Sequence, residues 1–172
     1  MLFWAIVPSI LLAHSVYAED YYASIDTTGD VDLVTTSGTV IDNSDITVTT
    51  NCRAGYNLTL GLTVNNNNLY LDGDSSNYSH STRIAPSDGT NALKDSPDTW
   101  GFFAPSAASP ITPTENNIFR PVPTSVNNPA VIRTTSETAS QTDIDDTFSI
   151  YYGANVGPDL LSGTYEMIPE NS

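Results

Sequence analysis

Basic residues are scarce in this chain: five Lys and Arg stand against 20 Asp and Glu among 172 residues, and Lys94 is the only lysine. The resulting net charge of −15 opposes docking on nucleic-acid phosphate or on an anionic membrane surface, so neither partner is expected. Cysteine is rarer still. Cys52 stands alone, which excludes an intramolecular disulfide and leaves an inert thiol at a strand end or a pairing between chains. Arg53 is its neighbour in sequence, but successive residues of a strand point to opposite faces, so it does not activate the thiol as a nucleophile. There are two histidines, His14 and His80; zinc needs clustered Cys and His, which are missing. No nucleophile-elbow sequence is present, and Ser and Asp are too abundant for a triad drawn through His80 to carry information.

Long apolar runs are also missing, with one exception at the start. Leu2–Ala13 has the length of a signal-peptide apolar region, and Val16-Tyr17-Ala18 places small residues at the positions a signal peptidase inspects, ahead of Glu19 and Asp20. Cleavage after Ala18 is expected, although no Lys or Arg precedes the run. It is too short, and too broken by Pro8, for a membrane span. The expected division is a signal peptide over 1–18 and one domain over 19–172, extracellular or at the cell surface, with no membrane insertion after cleavage.

What is abundant is Thr, Ser, Asn and Asp. These residues compete with the helical backbone for hydrogen bonds and favour strands and turns, which predicts an all-β chain. With 39% hydrophobic residues it can build one core but hardly two. Short alternating segments separated by turn residues predict strands near 21–26, 31–41, 45–50, 56–64, 68–72, 80–84, 98–104, 118–122, 130–135, 147–154 and 163–168. In "YNLTLGLTV", Tyr56, Leu58, Leu60, Leu62 and Val64 fall on one face, the mark of a half-buried strand. In "TFSIYYGAN", Phe148, Ile150 and Tyr152 share a face and Gly153 is expected to end the run. Segment 85–129 holds eight of the 11 prolines, so it is expected to be mostly loop and edge, anchored by Trp100, Phe102 and Phe103. The expected architecture is a single antiparallel β-sandwich, immunoglobulin-like or related, with 85–129 as a loop-rich insertion.

Candidate ligand sites follow from spacing. Calcium needs several oxygen ligands close together, and Asp72, Asp74 and Asn77 in "DGDSSN" offer them. So do Asp26, Asp30 and Asp32, and Asp143, Asp145 and Asp146. None completes a twelve-residue calcium loop, and Asp and Asn are also ordinary turn residues. No other cofactor is suggested. Tyr21, Tyr22, Tyr70, Tyr78, Trp100, Phe103 and Tyr151 are candidates for a sugar-stacking platform, with core burial as the alternative for each. Asn57 and Asn77 head N-glycosylation patterns, frequent by chance in so Asn- and Thr-rich a chain.

The succession "ITVTTNCRAGYNLTL", "DTWGFF", "FSIYYGANV" and "LLSGTYEM" resembles a group of exported, mostly uncharacterised surface proteins of candidate-phyla bacteria of the Saccharibacteria type. The resemblance implies a β-sandwich module on the cell surface or in a secreted protein, with no catalytic residues to carry over. It departs at "EMIPENS", where Pro169 stops the closing strand. The function expected is a non-catalytic structural or adhesive role, with a protein or glycan at the cell surface as partner. The alternatives are a carbohydrate- or calcium-dependent binding module and a pilin-like polymer subunit with an open sheet edge near 163–168.

Overall fold

A computed structural model describes residues 22–28, 31, 33, 37–52, 54–62, 66–73, 82–124, 128–135 and 144–166. The expected signal peptide lies outside the described residues. Their regular structure is all-β, with strands β1 (Ala23–Thr28), β2 (Gly38–Thr50), β3 (Asn57–Leu60), β4 (Leu69–Leu71), β5 (Arg83–Pro86), β6 (Thr99–Phe103), β7 (Ala130–Thr134), β8 (Ile144–Val156) and β9 (Tyr165–Glu166). A 3-10 turn, Leu93–Asp95, lies between β5 and β6.

Seven strands form one sheet in the order β1-β2-β8-β6-β5-β4-β9, and β3 pairs with β7 in a separate two-stranded sheet. The frame of the large sheet is an antiparallel ribbon of β2 and β8, 13 residues each, paired from Gly38↔Val156 to Thr50↔Ile144. β1 lines one end of β2, and β6 lines the opposite end of β8. Two sequence expectations change here. The predicted break at 42–44 in β2 does not occur, because Asp42, Asn43 and Ser44 pair in register with Tyr152, Tyr151 and Ile150, and ladder bonds outweigh the weak turn preference of Asp and Asn. Nor does Gly153 end β8, which runs on to Val156.

Alternation along the ribbon separates two faces. Ile46, Val48, Ile150 and Ala154 on one face, with Trp100 and Phe102 of β6, form the buried core with Ile84, Val122 and Ile132; Leu58 and Leu60 of β3 pack against it. The β3–β7 pair therefore covers this face. Its strand is shorter than "YNLTLGLTV" suggests. Leu58 and Leu60 do turn inward while Asn57 and Thr59 stay exposed, but a register shift lies between Leu58 and Thr59. Leu62 N–H then leaves the ladder to donate to Pro123 O at 2.8 Å.

Among the described residues, the opposite face is covered only at the end near β6. Gly153 faces Leu93 and Phe119, and a Cβ there would stand 2.6 Å from Leu93 Cδ2 and 2.8 Å from Phe119 Cε1. Glycine lets both side chains pack directly on the strand backbone. The Asn155 amide donates to Leu93 O and Lys94 O, both at 3.0 Å, fixing the 3-10 turn there. Within the proline-rich segment, β5 and β6 are interior strands of the sheet. Pro86 is tolerated because the bonds from β5 to β6 use Ala85 N–H (to Asp98 O, 2.8 Å) and Ser87 N–H (to Trp100 O, 2.6 Å), so its missing donor faces the side where β4 has already ended. The expected strand at 118–122 is reduced to one bridge, Phe102↔Arg120, with the Arg120 guanidinium 4.7 Å from the centre of the Phe102 ring.

Candidate functional site

Of the expected calcium ligands, Asp72 is exposed in the turn after β4 with φ 51°; Asp74 and Asn77 lie outside the described residues, as does His80. The Asp72 N–H donates to Thr164 O at 2.7 Å, and Gly73 N–H closes the turn on Tyr70 O at 3.2 Å. Asp is among the few non-glycine residues that accept a left-handed backbone, which suits it to this turn. The other carboxylate sets are described only in part. Asp26 stands exposed on β1, Asp30, Asp32 and Asp143 lie outside the described residues, and Asp145 and Asp146 point to opposite faces of β8. Among the described residues no group of three or more His, Cys, Asp or Glu is placed to hold a metal ion.

Asp146 is the inward member of that pair, and its partners are residues the sequence did not connect. Arg133 of β7 donates to it through Nε at 2.7 Å and Nη2 at 2.5 Å, and the Tyr56 hydroxyl donates at 2.5 Å. Both charged side chains are 15% exposed, and the guanidinium lies 4.9 Å from the centre of the Phe148 ring. The Arg133 hydrogen bond holds the Asp146 carboxyl below its usual range, against the opposing effect of burial. Burial, and then the bond to Asp146, push the Tyr56 phenol up to about 12. Neither group changes its proton near neutral pH, so the cluster acts as a clamp between the two sheets. The signal available in sequence was parity: Asp146 shares the face of Phe148 and Ile150, and an inward carboxylate requires a donor.

The face of the ribbon left open by the described residues is built from short polar side chains. Register places Ser24, Thr49 and Asp145 in one row, Asp26, Thr47 and Thr147 in the next, and Thr28, Asp45 and Ser149 in a third. The rows are internally bonded: Thr49 Oγ1 donates to Asp145 Oδ1 at 2.6 Å, Ser149 Oγ donates to Asp45 Oδ1 at 2.6 Å, and the hydroxyls of Thr47 and Thr147 meet at 2.9 Å. A fourth row, Asn43, Tyr151 and Phe103, brings an aromatic edge to this lattice. Tyr151 is half-buried, and Phe103 leans on Phe119 with ring centres 5.9 Å apart.

The remaining aromatic candidates divide between core and surface. Trp100 and Tyr70 are buried, with the Trp100 indole donating to Asn67 O at 2.7 Å and the Tyr70 hydroxyl accepting from Asn66 Nδ2 at 2.8 Å. Tyr22 is 42% exposed, while Tyr21 and Tyr78 lie outside the described residues. Cys52 follows the end of β2 with a half-buried thiol, its N–H donating to Thr50 Oγ1 at 3.0 Å. Comparison of the chain with protein-family models, with curated proteins and with solved structures finds no match to any of them.

Proposed function

We propose that this protein is an exported, non-catalytic β-sandwich, immunoglobulin-like or related, with a structural or adhesive role at the cell surface or in the extracellular medium, and that the outer face of β1, β2 and β8 is its contact surface. The observation that carries this reading is the three-row lattice of Ser, Thr and Asp. Short side chains lose little rotamer entropy when a partner settles on them, and their mutual bonds hold donors and acceptors in place beforehand. Such a surface suits a hydroxyl-rich glycan or a polar protein face and repels polyanions. The row of Asn43, Tyr151 and Phe103 favours carbohydrate as the second, narrower reading, since an aromatic edge beside amide and carboxylate groups combines apolar contact with hydrogen bonding.

Binding of the full chain to an array of surface polysaccharides and matrix proteins tests both readings, with and without a chelator. Adhesion through this face predicts binding that persists in chelator and is lost in the Thr47→Lys, Thr147→Lys double variant. A carbohydrate site at the fourth row predicts that Tyr151→Ala weakens glycan binding by about tenfold, the equivalent of one aromatic contact. Binding that survives the double lysine variant unchanged overturns the assignment of the face. Sequencing the protein recovered from culture medium is expected to begin at Glu19.

A further inference from the structure

We propose that the free edge of β1 is a self-complementary docking strand, through which two copies of this chain pair antiparallel about a two-fold axis at Ile25. β1 is an edge of the large sheet, and no described strand pairs with its outer side. All six of its residues are exposed, and Ile25 is 58% exposed. It carries neither Pro nor Lys, the residues that usually blunt such an edge.

The backbone direction is set by three bonds. Tyr22 N–H donates to Asn51 Oδ1 at 3.0 Å, Tyr22 O accepts from Thr50 Oγ1 at 2.8 Å, and Thr28 O accepts from Ser44 Oγ at 3.0 Å, all on the β2 side. The even-numbered residues therefore spend their main-chain groups on β2, and Ala23, Ile25 and Thr27 point theirs outward, because the direction alternates along a strand. An antiparallel partner must pair outward residues with outward residues. Only the register with Ile25 opposite Ile25 engages all three of them, Ala23 meeting Thr27 on either side of the axis.

That register also sorts the side chains. It sets Ser24 opposite Asp26 of the second copy, twice, on the outer face. The same hydroxyl-to-carboxylate pairing already joins Thr49 to Asp145 and Ser149 to Asp45 inside the chain. Sliding the strands so that Ile25 meets Thr27 puts Asp26 opposite Asp26, and like charges directly opposed are destabilising. With Ile25 on the axis the two apolar side chains cover each other, and the polar lattices of both copies become one continuous surface. A charge of −15 on each copy works against association, so pairing should strengthen as salt screens that repulsion.

Sedimentation of the full chain over a concentration series, at low and high salt, reads the outcome directly. A doubling of mass that shifts to lower concentration in high salt is expected, and it should be lost in Ile25→Lys with the melting temperature unchanged. Because the Ile25 N–H points away from β2, Ile25→Pro should also fold and remain monomeric. In a Cys52→Ser background, Ile25→Cys should cross-link under mild oxidation, since facing residues of a bonded pair lie within disulfide reach, whereas Thr27→Cys should not. A wild-type chain that stays monomeric throughout overturns the proposal. So does a dimer insensitive to Ile25→Lys, stronger cross-linking at Thr27, or growth into linear polymers, which would require a contact between unlike edges.

Discussion

Replacing Asp146 with asparagine keeps the size of the side chain and removes the charge that receives three hydrogen bonds from Arg133 and Tyr56. The amide offers one acceptor in place of two and turns an N–H toward groups that are themselves donors. Bonds to charged partners contribute about 1.5–3 kcal/mol each in mutational series. Stripping one partner from a fully buried ion pair costs about 3–5 kcal/mol. With both side chains 15% exposed, water softens the loss, and about 2–3 kcal/mol is expected. For a chain of this size about 2–4 °C of melting temperature follows each kcal/mol, so calorimetry at neutral pH should show a drop of about 4–12 °C. Asp145→Asn, one residue away on the exposed face, should stay within about 0.5 kcal/mol of wild type.

Arg133→Gln should behave like Asp146→Asn, and the double variant should be little worse than either, because each single change already breaks the same clamp. The acid limb gives an independent check. A carboxyl whose folded pKa is depressed contributes stability above its unfolded pKa, and that contribution disappears as pH falls through the folded value. Asp146 is shifted in this direction, chiefly by Arg133. The gap between wild type and Asp146→Asn should therefore close below the ordinary carboxylate range. Melting temperatures that agree within about 1 °C at pH 7, or single losses that simply add, would refute the clamp.

The Tyr56 phenol has its pKa raised from 10.0 to about 12, so its contribution should be intact below pH 10 and lost as pH rises through that window; alkaline melts of Tyr56→Phe should lack this step. Gly153→Ala should destabilise by about 1–3 kcal/mol in chemical unfolding, because Leu93 and Phe119, both nearly inaccessible to solvent, leave no room for a methyl group. Gly55→Ala should do worse, by about 2–4 kcal/mol, since Gly55 combines a φ of +78° with the Thr135 carbonyl lying against the place a Cβ would occupy.

Much of the strand content was legible in the sequence because its signals are local. Alternation in "TFSIYYGAN" put Phe148 and Ile150 on the inner side, where both join the core or pack on it. Cys52 lies just past the end of its strand, as the spacing suggested. Where local rules misled, a distant partner had the deciding effect. Asp42, Asn43 and Ser44 look like a turn until β8 offers a ladder, and Gly153 looks like a terminator until Leu93 and Phe119 fill the space above it. Leu62 alternates correctly yet leaves the strand, because Pro123 O provides its partner.

By itself, then, the sequence determined an acidic all-β chain: residue chemistry sets strand preference, period-two patterning sets which side chains turn inward, and the excess of Asp and Glu sets the net charge. These depend on neighbours a few residues away. Only the tertiary structure decided that β2 and β8 form one long ribbon, that Asp146 meets Arg133 and Tyr56, that Ser, Thr and Asp from three strands line up in rows, and that β1 is left at an open edge. Each of these depends on register between segments far apart in the chain. A slip of one residue would exchange the two faces of a strand and break both the Asp146 clamp and the rows without altering any local signal.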